Sequence, residues 1–457
     1  MERMNFVKVC LILLSAAVWG QSGCVFLDNM GAAAATSIDL PVKMICITCY
    51  SVEGDAPPRW MVRLSTAPNP VQPWHVKTDD GSYWQDAGGE FYPEFLGATV
   101  DNDDCSTALE QAFRAHMFLK MRLRGMGNTY KCRKQVNFDT FGFSNGGCDV
   151  DFNGMGRSCI SFAPDVPAPC FFLGSSQTQN NFWGRFVNLE IDANVDGVAA
   201  QFGRTDLQDP TNDFVITVNV TNASTGGGAQ AIVLNAIYSS LLNIVGNCGA
   251  TGSGLAAIQL NRCNMCRGFL APGHCNQGLV FANYCNGNSF SIDIEVLETG
   301  LVQADNTCAY NEIVGGVIAN SSVGIDNHKG GPLRLRNVLI GGVTSLLSNP
   351  NAQDASWGGY GVTIDDSGQN PTGFSMPSMP GGGVWVLNKS CQPQWIAISG
   401  TSGSDSFQVR VRSWYDFSSE GTIVASGAPC GFVLQPGEQV CYSGSGASLS
   451  WTWWPLL

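Results

Sequence analysis

Charge is scarce in this chain. Only 13 % of its 457 residues are Asp, Glu, Lys or Arg, and the acidic excess leaves a net charge of −13. Lys and Arg gather into no basic stripe, which disfavours a nucleic-acid partner. Beyond the first twenty or so positions, no apolar run approaches the roughly 20 residues a membrane-spanning helix needs. Helical periodicity is scarce as well. No 3.6-residue apolar stripe recurs through the middle of the chain, so a leucine-rich or other helix-containing repeat fits badly. The 18 cysteines are too few for a small disulfide scaffold and many for a cytosolic β protein, which points to an oxidising final environment. Their two CxxC pairs, Cys46/Cys49 and Cys263/Cys266, lie 217 residues apart. Neither a shared structural zinc site nor thioredoxin-like chemistry is expected from them, and no metal or cofactor is expected elsewhere.

Glycine is plentiful at 54 residues, which suits β architecture with many tight turns. The decisive pattern is a repeat. Asn261, Asn283, Asp305 and Asn327 follow one another at intervals of 22, each after a short apolar run such as Leu279-Val280-Phe281-Ala282. A second set, Asn243, Asn264, Asn288, Asn311 and Asn337, runs in step at intervals of 21 to 26. Two strand-like runs per coil, each tied to an Asn or Asp, predict a right-handed parallel β-helix. Stacked rungs about 4.8 Å apart let an Asn at one turn bond to its copies above and below. Cys263, Cys285 and Cys308 fall in step with the ladder, as a stack of free thiols or a disulfide between rungs.

The domains expected are an apolar leader or anchor over residues 1–29, a small N-terminal domain over 30–92, the β-helix over 93–365, a Gly/Pro/Ser/Asn-rich linker over 366–383 and a C-terminal β-sandwich over 384–457. The leader reads as a signal peptide, as an anchor buried in a larger assembly, or as an over-long start before Met30. Asp103-Asp104 ahead of Ala108, Leu109, Ala112, Phe113, His116 and Met117 predicts an amphipathic helix that caps the solenoid. The closing Trp451-Thr452-Trp453-Trp454 is read as an inter-subunit contact, with a local sandwich core as the other reading.

Phe95-Leu96-Gly97-Ala98-Thr99-Val100-Asp101, then Asp103-Asp104, the Ala-rich helix and Gly127-Asn128-Thr129-Tyr130 resemble the lead-in to the pectate-lyase-like β-helices of bacteriophage tailspikes. Gly54-Asp55, Arg59-Trp60 and Asp80-Gly81-Ser82-Tyr83-Trp84 are similar to the particle-binding domain ahead of it. Leu434 to Val440 with Ser450-Trp451-Thr452-Trp453 resembles the small β domain that closes several such spikes. The resemblance spans about residue 40 to 457. Leu96 stands where Phe is usual, and Asn102 where the Asp-rich turn has Gly. The resemblance implies a homotrimer on the virion, joined to other tail or baseplate proteins through its N-terminal region, that binds and often cleaves bacterial surface polysaccharide. A non-catalytic spike or adaptor and a secreted pectate-lyase-like enzyme are the alternatives.

Cleavage requires outward carboxylates, as an acid and base or nucleophile pair for hydrolysis, or a base for elimination. Phe290, Ile292, Ile294 and Val296 alternate inward, so Asp293 and Glu295 share an outward face, with Glu298 at the turn beyond. These three are the catalytic candidates. Trp183, Arg185, Glu190 and Asp192 are the substrate-binding candidates. They group an aromatic platform, a cation and two carboxylates on one strand, as an acidic sugar would require. A plain solvated strand face is the other reading of both sets. Asp206, Asp209, Asp213, Asp326, His328, Phe182, Tyr284, Trp357 and Tyr360 are weaker candidates.

Overall fold

A computed structural model describes residues 23–143, 147–153, 157–177, 182–208, 211–249, 255–296, 298–327, 330–347, 362–365, 385–388, 394–399, 405–411, 419–425, 430–434, 439–443 and 450–455. The apolar run of the leader and the 366–383 linker lie outside these. The chain divides into two compact units. One runs to Arg133 and includes Cys148–Cys159; the other comprises Lys134–Gly147 and Ile160–Leu457. Among the described residues no helix is long and apolar enough to cross a membrane.

In the first unit a five-stranded sheet runs in the order Cys24–Leu27, Met44–Ile47, Arg59–Arg63, Tyr83–Asp86, Val76–Lys77. Its core is Leu27, Ile45, Ile47, Met61 and Trp84, over which the short helix Met30–Ala35 lays Ala33. Arg59 is buried in a bidentate pair with Asp86, its Nε and Nη2 donating at 2.8 and 2.7 Å. Its other contacts include the carbonyls of Trp74 and Phe95, the Met30 sulfur and the rings of Phe91 and Phe95, so the buried charge is well employed. The expected amphipathic helix is Ser106–Leu119. It buries Ala108, Leu109, Ala112, Phe113, His116 and Met117, and Asp104 accepts the Ser106 N–H at 3.1 Å ahead of its first turn.

Glu94, in the 3₁₀ turn Pro93–Leu96, has no solvent exposure. Its Oε1 accepts from the Tyr130 hydroxyl at 2.7 Å, the Asn128 amide at 3.0 Å and the Met126 N–H at 3.3 Å, while Oε2 makes no hydrogen bond. Burial pushes this carboxyl up to about 7, against the pull of those donors.

The second unit is the parallel β-helix the repeat predicts. One sheet stacks short strands in the order Val136–Asp139, Phe171–Gly174, Val198–Phe202, Gln230–Asn235, Ala256–Asn261, Gln277–Ala282, Thr299–Gln303, Val323–Asp326, Ser345–Leu347. The other stacks longer ones, Phe182–Ala193, Thr211–Asn222, Leu241–Cys248, Arg267–Gly273, Ser289–Glu295, Asn311–Ala319, Leu333–Gly341 and Val362–Asp365. Alternation puts Leu189, Val218, Ile244, Leu270 and Ile292 in one inward file, and Ile232, Ile258, Leu279, Leu301 and Ile325 in the facing one. Each such side chain contributes about 1.5–3 kcal/mol by leaving water. Toward the start of the stack the core is aromatic, with Phe138, Phe171, Phe186 and Phe202 at ring separations of 5.2 to 6.2 Å.

The first Asn ladder forms from Asn261 to Asp305, while Asn327 accepts from the Gln303 amide at 2.6 Å instead. The Asn261 amide donates to Asn235 at 2.9 Å, Asn283 to Asn261 at 3.2 Å, and the Asn283 N–H to Asp305 at 2.8 Å. Asn283 adopts φ 54°, the left-handed geometry this turn needs. The second set resolves differently from its sequence spacing. Asn264 bridges to Asn286, while Asn288 bonds Asn311 at 2.9 Å in a separate ladder, and Asn243 lies within a strand opposite Phe269. The spacing merged two neighbouring turns because they lie only two residues apart, and it passed over Asn286.

Cys263, Cys285 and Cys308 are buried free thiols, and the Cys263 N–H donates to the Cys285 sulfur at 3.3 Å. Among the described residues a disulfide joins Cys248 to Cys275, with Cα atoms 5.5 Å apart. In the C-terminal region a four-stranded and a three-stranded antiparallel sheet are present. Trp451 and Trp453 are buried there with Ile396, Ile398, Phe432, Leu434 and Val440. Trp451 and Trp453 thus contribute to a core within the chain, as the second reading of this run has it.

Candidate functional site

The outer face of the long-strand sheet is read from its register. Between the bulges, strand positions pair one to one from rung to rung, so outward residues form files running across the strands. Glu190 lies opposite Asn219, Asn219 opposite Val245, and Val245 opposite Ala271. Leu270 is opposite Ile292, which sets Asp293 next in this file. The neighbouring file holds Asp192, Thr221, Asn247, Gly273 and Glu295. The two sequence-predicted carboxylate pairs therefore occupy the same two files, four strand spacings apart, or about 19 Å.

Glu190 and Asp192 stand two residues apart on Phe182–Ala193, hence about 6.5–7 Å between Cα atoms. Asp192 is exposed at the strand's edge, Glu190 is half-buried, and the inward residues flanking them are buried. Partial burial, and then the charge of Glu190, raises the Asp192 carboxyl above the usual carboxylate range. A carboxyl raised beside a second carboxylate is the arrangement that assigns acid and base roles to a pair. Asn188, between them and Arg185, has φ 62° and marks a bulge that breaks the register between Val187 and Leu189.

Trp183, at the start of the same strand, is 55 % exposed. A Cβ on Gly147 would collide with its ring, so glycine there lets the indole lie against the backbone. Arg185 belongs to another file, with Leu241, Arg267, Glu312 and Arg334. That file runs about 13 Å along the strands from the Glu190 file. The structure thus sets Arg185 beside Trp183 and apart from the carboxylates.

Asp293 and Glu295 are exposed on Ser289–Glu295, as the alternation predicts, and Glu298 is exposed beyond them. Glu295 accepts from the Asn320 amide at 2.8 Å. Among the weaker candidates, Asp206 is held by Arg204, whose Nε donates at 2.8 Å, and this pairing lowers its carboxyl to about 2. Asp213 is exposed at the start of its strand, Asp326 is half-buried, and Tyr284 stands 61 % exposed on the Asn283 turn. Asp209, His328, Trp357 and Tyr360 lie outside the described residues, as does the side chain of Phe182. Among the described residues no three His, Cys, Asp or Glu side chains gather as a metal site would require. Sequence reasoning missed Phe269, 39 % exposed on the outer face one strand from Ser291; its alternation with Leu270 was the available signal.

No family model matches the chain, and no curated protein matches it. Solved structures do. The enzymatically active domain of tailspike protein 2 of bacteriophage CBA120 is similar at 11 % identity and a TM-score of 0.39, over 99 % of this chain and 83 % of that one. The enzymatically active domain of tailspike protein 4 of the same phage is similar at 9 % identity and 0.43, over 93 % and 76 %. WceF of Pantoea stewartii, a glycan biofilm modifying enzyme with a tailspike-like parallel β-helix fold, is similar at 12 % and 0.37, over 94 % and 70 %. Likenesses at these levels carry no inference about activity.

Proposed function

We propose that this chain is a tailspike-type receptor-binding protein that takes a bacterial surface polysaccharide on the outer face of its long-strand sheet and hydrolyses it at Glu190 and Asp192. The observation that carries the reading is the carboxylate pair on one strand, with Asp192 raised by partial burial and by Glu190. Asp192, holding its proton to higher pH than a free carboxyl, protonates the departing glycosidic oxygen. Glu190 activates the attacking water. With Cα atoms about 6.5–7 Å apart on one face, the two side chains can set their carboxyl groups at the separation that inverting glycosidases use. Trp183 stacks a sugar farther along the strand, on the Arg185 side of the pair. Asp293 and Glu295 bind a more distant part of the same saccharide, with Glu298 beyond them. The lead-in motifs around Phe95 and Asp104 support a place on the virion, with the first unit attached to tail or baseplate proteins. A homotrimer follows from the same resemblance.

The test is oligosaccharide release from purified host polysaccharide. Asp192→Asn and Glu190→Gln each lower turnover by at least about a hundredfold while leaving polymer binding in place. The wild-type rate falls on the alkaline side as Asp192 loses its proton. Unchanged turnover in both variants, with loss instead in Asp293→Asn or Glu295→Gln, transfers the chemistry to the second pair. Binding without any release leaves a non-catalytic spike.

A further inference from the structure

We propose that His116 is an acid-sensitive latch: on taking up a proton its ring lets go of the strand Gly147–Asp151 and frees the C-terminal end of helix Ser106–Leu119. The proposal is independent of the glycan reading. It concerns the first unit, to which the helix, Met121 and Asp149 all belong.

His116 stands in the apolar stripe of Ala108, Leu109, Ala112, Phe113 and Met117, where an aliphatic side chain would serve packing alone. It is 4 % exposed, and both ring nitrogens are in use. Nδ1 meets the Met121 carbonyl, and Nε2 accepts the Asp149 N–H at 3.3 Å. The carbonyl fixes the proton on Nδ1, so Nε2 is the acceptor of a neutral ring. One side chain thus joins the helix, the turn that leaves it through Lys120 at φ 59°, and a strand 33 residues on. Met121 leads directly into Arg122–Arg124, which pairs with that same strand, Leu123 opposite Val150. A protonated imidazole has two donors and no acceptor. Its Nε2–H would face the Asp149 N–H, and the bond between helix and strand would be lost.

Burial holds the imidazole below its usual 6.5, against the pull of the Met121 carbonyl and of Asp149, and Lys120 at the helix end adds to the effect. Arg122 donates to Asp149 at 2.7 Å, which blunts that carboxylate's pull on the ring. The remaining charged groups on the surrounding elements are Asp151, Arg124 with Glu90 at 2.8 Å, and Glu94 in the 3₁₀ turn against the helix. The sign follows. Above 6.5 the ring is neutral whether or not the helix is docked, and the latch is closed. Below 6.5 an undocked ring takes a proton that the docked ring refuses. Opening therefore gains up to about tenfold per pH unit, down to the docked ring's own value. Glu94 acts in the opposite sense between 4.5 and about 7, so the test removes it.

Deuterium exchange at the imidazole C2 position, read by mass spectrometry on the peptide holding His116, gives the ring's own titration in the intact protein. Backbone amide exchange over 106–124 and 148–151, corrected for its intrinsic pH dependence, reads the latch from pH 7.5 to 5 in the wild type and in Glu94→Gln. The expected result is a His116 midpoint below 6.5, with protection of both segments in Glu94→Gln falling by up to about tenfold per pH unit below 6.5. Adding His116→Gln, which cannot titrate, abolishes that fall. A midpoint at or above 6.5, or protection in Glu94→Gln that does not fall with pH, overturns the proposal. Should the His116 variant fail to fold, the first two measurements decide.

Discussion

Replacing Glu94 by Gln should stabilise the protein at neutral and alkaline pH and do almost nothing in mild acid. Glu94 is fully buried, and only one of its oxygens has partners. Two effects compete: loss of hydration favours the neutral acid, while three donors on Oε1 favour the anion. Burial wins, and the carboxyl rises from 4.5 to about 7. At about 1.4 kcal/mol per pH unit, that difference amounts to about 3 kcal/mol. The sign follows from proton counting. Between 4.5 and 7 the folded chain keeps a proton that the unfolded chain has released, so stability contributed at this site falls as pH rises through that window. Below it both states are protonated, and above it both are ionised. Glutamine keeps a carbonyl oxygen for Tyr130, Asn128 and Met126 and puts an uncharged amide where Oε2 stood. Urea unfolding of the full-length protein and of E94Q, followed at tryptophan and repeated from pH 4.5 to 8.5, should give curves that coincide at the acid end. They should diverge to about 3 kcal/mol in favour of the variant above pH 7.5. A gap that does not change with pH, or a variant less stable at pH 8, would refute the reasoning, since the three donors would then be holding an anion.

Two further outcomes test the solenoid and its cysteines. Gly316 has φ 106°, and a Cβ there would run into the Ile292 carbonyl of the preceding rung, so Gly316→Ala should cost about 2–4 kcal/mol, read as an earlier thermal transition. An unaltered melting temperature would show that the rungs are not in this register. Cys263, Cys285 and Cys308 should resist alkylation in the folded protein and react in denaturant, while Cys248 and Cys275 should react only after reduction as well. Finding Cys263 or Cys285 in a disulfide by non-reducing peptide mapping contradicts the buried thiol stack.

The solenoid was legible because its signal is local and repeated. An Asn or Asp every 22 residues behind an apolar run needs no knowledge of distant contacts. Legibility failed where two turns lie close together, since spacing alone cannot separate the Asn264–Asn286 ladder from that of Asn288 and Asn311. The Cys248–Cys275 bond was invisible for a related reason: neither residue belongs to the Asn ladder that drew attention to Cys263. The outward carboxylates could be read from alternation on their own strands. Their alignment in two shared files could not, because it depends on how the intervening strands and the bulge at Asn188 set the register. The separation of Arg185 from Glu190 was equally hidden, because neighbours in sequence are held apart when a strand is extended. The local core of Trp451 and Trp453 was hidden as well, since an aromatic run at a terminus looks alike whether it packs inside the chain or against a copy.

One-to-one pairing between rungs makes the outer face a ruler with fixed graduations. Adding or deleting a whole coil between Thr211–Asn222 and Arg267–Gly273 would move the Asp293 pair relative to the Glu190 pair by one step of about 4.8 Å and leave each pair intact. Point substitution cannot do this, because a shift of one residue along a strand turns every side chain to the opposite face. The length of polymer gripped can thus change by duplication of a coil while the residues that touch it stay the same.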